Sequence, residues 1–332
     1  MRLLRIIIPV IIGVGATAVM FCCEFDPDSL SDIRLGWWNV LSILLAMILM
    51  TCRDFGLSWR FRLMCRPQHL SWGQAYRENL LCEFSSATTP SSVGGSGLIA
   101  LYLKAFGIPA GKGIAVTIST IFLDELFFIL ACPIFLMVFS YEELFGSTHE
   151  VLYVFAPVYF LIVIWTIALY IALFKKTDFV SAALLRIFSI RLLRRWRGDI
   201  EKLESDLNVS AAIMKHQSAS FWAKALIATS LAWISRFMVA CALFIPYIPL
   251  GAQPLVFARQ LVLWIVMMVS PTPGGSGICE FVFSTYYSNM VNNPNVTLLI
   301  TCIWRIITYY VYLMAGLCIL PDWVKRYKRR PA

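Results

Sequence analysis

Six apolar runs alternate with polar stretches along the chain, at 6–23, 37–55, 113–140, 151–174, 222–247 and 296–320. About 20 residues of helix cross the roughly 30 Å hydrocarbon core of a bilayer, so each run predicts a membrane-spanning helix. The first run follows Met1-Arg2-Leu3-Leu4-Arg5 and contains Ala16-Thr17-Ala18, a cleavage-like site. At 18 residues it is long for the apolar part of a signal peptide, and it reads as an uncleaved first helix. Two further apolar regions, 79–103 and 255–291, are interrupted by Gly, Pro and Ser.

These interruptions resemble each other. Residues 85–97 read Ser-Ser-Ala-Thr-Thr-Pro-Ser-Ser-Val-Gly-Gly-Ser-Gly, and 270–277 read Ser-Pro-Thr-Pro-Gly-Gly-Ser-Gly. An interior Gly costs a helix about 1 kcal/mol relative to Ala, and an interior Pro about 3. The backbone freed there cannot face lipid, so it must be buried in protein or line a wet cavity. Each region is therefore expected to be a re-entrant hairpin: a half-helix in, a loop at depth, a half-helix out. The span before each hairpin and the span after it complete a unit. Unit one covers about 36–140 and unit two about 221–320, joined by a basic connector at about 175–220. The units would run in opposite directions, an inverted-topology repeat whose broken helices point to a central site near the midplane. The fold class expected is an all-α polytopic membrane protein, a single domain with six full spans and two broken hairpins.

Composition agrees. Of 332 residues, 59% are hydrophobic and 14% charged, with a mean hydropathy of +0.75. A net charge of +9 raises nucleic acid as a partner, but the basic residues flank apolar spans. With both termini cytoplasmic, 23 of the 28 Lys and Arg fall on the cytoplasmic side, counting Arg53, Arg60, Arg62, Arg66 and Arg77 as one loop. Such charge also suits the anionic inner leaflet. Within the connector, arginines 186 to 197 alternate with Leu, Ile and Trp, which fits an amphipathic helix on that leaflet or a solvated linker. Trp37, Trp38 and Trp323 fall at the expected interfaces. The ten cysteines form no CxxC pair and no zinc-like cluster with His69, His149 or His216, so they read as packing residues and no metal or other cofactor is expected. Gly95-x-Gly97-x-x-Ala100 has no preceding strand, and the stretch from Gly107 to Lys112 is one residue short of a phosphate loop. No nucleophile elbow exists.

Charges inside apolar stretches cost about 2.5–3.5 kcal/mol each at the bilayer centre and usually face the protein interior. Asp124, Glu125, Arg236, Arg259, Glu280 and Arg305 are of this kind. They line a headgroup path or tie the two units together. The substrate-contacting candidates are Pro90, Gly94, Gly95, Ser96 and Gly97 in the first loop, and Pro273, Gly274, Gly275, Ser276 and Gly277 in the second. With them stand Asp124, Glu125, Arg259, Glu280 and Arg305.

Three stretches carry a family resemblance: Thr89-Pro90 to Gly94-Gly95 with Tyr102-Leu103-Lys104-Ala105-Phe106-Gly107-Ile108-Pro109; Pro271 to Gly277 with Glu280; and Arg305-Ile306-Ile307-Thr308-Tyr309-Tyr310 with Gly316. Over nearly its whole length the chain resembles the flippase-like membrane domain of lysylphosphatidylglycerol synthases, or multiple peptide resistance factors, including its stand-alone members. The resemblance implies movement of a polar-headgroup lipid between the leaflets of a bacterial-type inner membrane. The chain stops at Ala332, so the synthase activity of bifunctional members is expected to be absent, and no enzyme activity is expected. Where members carry Glu-Arg-x-x-Asp, this chain reads Thr120-Ile121-Phe122-Leu123-Asp124, so a lysyl-lipid substrate is not implied. Two rival readings remain: a secondary transporter of a small polar solute or ion, and a non-transporting scaffold for a lipid-modifying enzyme. Membrane lipids are the partners expected, with a homodimer and such an enzyme left open and nucleic acid excluded.

Overall fold

The protein, seen in a computed structural model, is described over residues 15, 36–89, 95–146, 150–175, 212, 214–291 and 293–328. The first apolar run, the loop residues Pro90 and Gly94, most of the basic connector and the last four residues lie outside the described residues. The described residues are helical, with no β-strand among them, and form a polytopic membrane fold.

Helix α1 (Trp37–Met64) leads to α2 (Trp72–Thr88), which a Ser71–Gln74 capping box starts. The turn between them is held by Arg62, whose Nε donates to the Leu70 carbonyl at 3.0 Å while its guanidinium stacks 4.3 Å over Trp72. After the first Gly-rich loop come α3 (Ile99–Ala105) and α4 (Ala110–Val138), then the short α5 (Tyr141–Phe145) and α6 (Glu150–Tyr170). The second half repeats the order. Helix α7 (Ala219–Phe244) is followed by α8 (Gln253–Met267), the second Gly-rich loop, and α9 (Ile278–Tyr287). The last span is α10 (Pro294–Arg305), a π turn at Ile306–Tyr310, and α11 (Val311–Lys328). A long helix, a broken pair and another long helix thus occur twice.

The leading helices α1 and α7 pack against each other antiparallel. Arg60 reaches Thr229, and Arg53 shares Glu83 with Arg236. Between these contacts Gly56 lies against Ala228 and Ala232, where an added Cβ would stand 2.8 Å from the Ala228 carbonyl. Small residues at this crossing let the backbones approach, as membrane helices require in the absence of a hydrophobic drive between them. Outward-facing side chains are apolar: Leu130, Ile134 and Met137 on α4, and Phe160, Leu161 and Trp165 on α6 are all exposed.

Three details depart from the sequence pattern. Helix α1 runs nine residues past the apolar stretch ending at 55, so Arg53 and Arg60 are buried within a helix rather than in a loop. Their charges are met by carboxylates from other helices, which hydropathy cannot register. The first arm of the second broken region, Leu250–Met267, is itself long and apolar enough to cross, because the Gly-Pro break falls at its far end. With it, six described helices qualify as spans. Trp323 is buried rather than interfacial: its ring meets Tyr102 edge-on at 5.0 Å and its Nε1 donates to the Tyr102 carbonyl.

Candidate functional site

The second Gly-rich loop meets the end of α2, where the first loop begins. The Gly274 N–H donates to the Thr89 carbonyl at 3.1 Å, and the Tyr309 hydroxyl donates to the Ala87 carbonyl at 3.0 Å. Gly274, Gly275 and Gly277 have φ of 56°, 71° and 84°, the left-handed region that side chains disfavour. The resulting tight turn delivers the chain into α9 with Glu280 in its first turn, where a carboxylate suits the helix dipole. One Glu280 oxygen accepts from the Gly277 N–H at 2.8 Å, and the other accepts from Arg305 Nε at 2.6 Å. Arg305 also donates to the Gly274 carbonyl and the Ser276 hydroxyl, and its guanidinium lies 4.1 Å over the Tyr309 ring. The π turn after Arg305 carries Tyr309 to this position; such turns recur at functional sites. Gly274, Ser276, Gly277, Glu280 and Arg305 are thereby gathered into one cluster.

A second cluster lies on the unit-one side. Arg60 binds Asp124 with both terminal nitrogens, at 2.5 and 3.2 Å, and Trp233 Nε1 donates to the same carboxylate at 2.8 Å. Glu125, next in sequence, is buried with one oxygen that finds no hydrogen-bond donor among the described residues. Gly95 is pressed against the Cys82 carbonyl, and its N–H donates to Ser86 Oγ at 2.9 Å.

Between the clusters lies a network of which the sequence pattern singled out only Arg236. Arg53 pairs with Glu83 and with Asp54. Asp54 also accepts from Asn79 at 2.9 Å and from the Tyr312 hydroxyl at 2.7 Å. Arg236 reaches the other Glu83 oxygen at 3.3 Å and stacks 4.4 Å over Trp264. A signal for part of this was present: Arg53 and Arg60 are seven residues apart, two helical turns, and so share a face. Glu78, fully buried on α2, has the Cys82 thiol as donor to one oxygen and no partner for the other among the described residues.

Two cavities flank this network. One is lined by Glu83, Arg236, Trp264, Gly274, Arg305 and Tyr309 among others, and the second by Arg53, Arg60, Glu83, Asp124, Glu125, Arg236 and Ser96. Their volumes are about 50 and 100 Å³, room for several waters each but not for a phospholipid headgroup. Arg236, Glu83, Ser86 and Trp264 line both.

Arg259 is not part of the centre. Its guanidinium donates to the carbonyls of Glu143 and Tyr286 and to Asn289 Oδ1, at 2.9, 2.6 and 2.8 Å. It clamps α8 to α5 and to the end of α9, far from the Gly-rich loops. The Ser140 hydroxyl and N–H donate to the Glu143 carboxylate there and hold it below the usual carboxylate range. Among the described residues no cluster of His, Cys, Asp and Glu could hold a metal ion.

Residues 6–316 match the family described as the lysylphosphatidylglycerol synthase TM region. The chain belongs to that family. A UPF0104 membrane protein of Archaeoglobus fulgidus is 26% identical over 330 residues, covering 93% of this chain and 94% of its own. No solved structure matches. In this lysylphosphatidylglycerol synthase TM-region protein, the three stretches that carried the resemblance surround one place. Thr89 belongs to the first, Gly274 and Glu280 to the second, Arg305 and Tyr309 to the third.

Proposed function

We propose that this protein is a flippase-like translocase, not an enzyme, moving an amphiphile whose charged headgroup passes the seam between the two Gly-rich loops while its tails remain in lipid. The observation that carries this reading is the backbone contact of Thr89 with Gly274, beside an arginine-lined cavity that shares Glu83 and Arg236 with a second. Loops of this kind are tolerated at membrane depth where they line a path. We read the two four-helix units as an inverted repeat, and the end bearing Arg66, Lys104 and Lys325 as cytoplasmic. The cavities are too small for a headgroup as they stand, so the seam must widen for one to enter.

The test is reconstitution into liposomes with a panel of anionic, zwitterionic and cationic labelled lipids. The native protein should accelerate transfer of at least one class, and Arg236→Gln should slow that transfer about tenfold at equal amounts of folded protein. A panel in which no lipid moves faster than in protein-free liposomes counts against the proposal. The cavities' volumes favour one alternative, a transporter of a small polar solute or ion. Flux of such a solute, without lipid transfer, would establish it instead.

A further inference from the structure

Away from the centre, the buried cation Lys112 has no carboxylate partner among the described residues. Lys112, in the first turn of α4, is 4% exposed, and its ammonium donates to the thioether sulfur of Met214 at 3.3 Å. A thioether is a weak, neutral acceptor and cannot balance a buried charge. Lys112 lines a cavity of about 330 Å³ together with Arg66, His69, Ser218, Ser220 and Lys224. Among the described lining residues there is no carboxylate.

The backbone adds positive charge of its own. Lys112 sits in the first turn of α4, and Ser220 in the first turn of α7. A helix N-terminus carries partial positive charge and unsatisfied N–H groups, so a lysine there is opposed rather than supported by the dipole. Four side chains that are cations or can become so, two helix starts and serine hydroxyls surround one cavity open at its rim. The complement that the described residues lack is an anion rich in acceptor oxygens. Arg66, His69 and Lys224 are exposed at the rim, on the same end of the bundle as Lys104, which lies over the Tyr327 ring of the last helix. Lipid phosphates lie at that level of a membrane protein.

We propose that this cavity binds a phosphate-bearing anion, with Lys112 at its floor and Arg66 and Lys224 at its mouth. The site is separate from the central cavities and stands whether or not the protein moves lipid. A headgroup phosphate and free phosphate share the required chemistry, and the experiment separates them.

The full chain in neutral detergent would be titrated with phosphatidylglycerol, phosphatidylcholine or inorganic phosphate, reading bound adducts by native mass spectrometry and the melting temperature. Phosphatidylglycerol should bind at least tenfold more tightly than phosphatidylcholine, and Lys112→Met should lose at least tenfold of that affinity. Methionine keeps the length and removes the charge. If Lys112 is only a packing residue, the change relieves a buried charge and leaves lipid binding as it was, which would overturn the proposal. Loss of the phosphatidylglycerol adduct in Arg236→Gln but not in Lys112→Met would assign the lipid to the centre and overturn it equally. Competition by inorganic phosphate, lost in Lys112→Met, supports the site with a soluble ligand; absence of competition supports the headgroup. Should Lys112→Met fail to fold, the rim substitutions Arg66→Gln and Lys224→Gln carry the test, and binding unchanged in both refutes the site.

Discussion

Glu280→Ala is expected to destabilise the protein by about 3–5 kcal/mol, the usual cost of removing one partner from a buried ion pair. Glu280 is fully buried and Arg305 is 4% exposed, so neither charge has water to fall back on. The carboxylate has two tasks: it accepts the Arg305 Nε–H, and it accepts the Gly277 N–H at the start of α9. Alanine would strand a guanidinium and free a helix-starting N–H at once. The double variant Glu280→Leu with Arg305→Met, which removes both charges, should recover a large part of the loss. Thermal unfolding in detergent, followed by tryptophan fluorescence, measures both. Equal instability of the single and double variants would mean that the ion pair is not what fails.

Gly274→Ala is the second large effect, a loss of about 2–5 kcal/mol made of two independent parts. A left-handed backbone costs a residue with a Cβ about 1–2 kcal/mol. The new methyl would also collide with the Tyr309 ring and stand 3.1 Å from the Ala87 carbonyl, and overpacking of this kind costs typically 1–3 kcal/mol. Because Tyr309 is the residue displaced, its hydrogen bond to Ala87 should be lost with it. On a Tyr309→Ala background, Gly274→Ala should therefore cost only about the backbone part. Gly97, around which an added Cβ meets nothing within 4 Å, is the control: Gly97→Ala should change stability by less than 1 kcal/mol.

The second Gly-rich loop could be read from sequence because its information is local. Three glycines in four residues with flanking prolines exclude a continuous helix, and Glu280 three residues on is a first-turn acid. Arg305 could be read because it stands alone in an apolar run. The end of α1 could not. Hydropathy falls at Arg53, yet the helix continues, because Glu83 and Asp124 come from 30 and 64 residues further along the chain. Arg259 and Arg305 look alike in sequence, each a lone arginine in an apolar stretch. What separates them is the partner: carbonyls and an amide at one end of the bundle for Arg259, a carboxylate at the loop junction for Arg305. Lys112 was visible only in the charge count and as the end of a rejected phosphate-loop match, since nothing local reveals that a lysine two residues into a helix will be buried.

The two arginines of α1 also bear on how the protein is made. When α1 leaves the ribosome, the carboxylates of Glu83 and Asp124 do not yet exist. Arg53 then has only the neighbouring Asp54 and Arg60 has no carboxylate of its own, so the isolated helix carries an insertion cost of up to about 2.5–3.5 kcal/mol for an uncompensated arginine at the bilayer centre. Its last three turns reach their final depth only once α2 and α4 arrive with the missing charges, and Thr229 and Trp233 follow more than a hundred residues later still. The first unit is thus completed by the second, and biogenesis of this membrane protein is a matter of waiting for partners rather than of adding finished spans one by one.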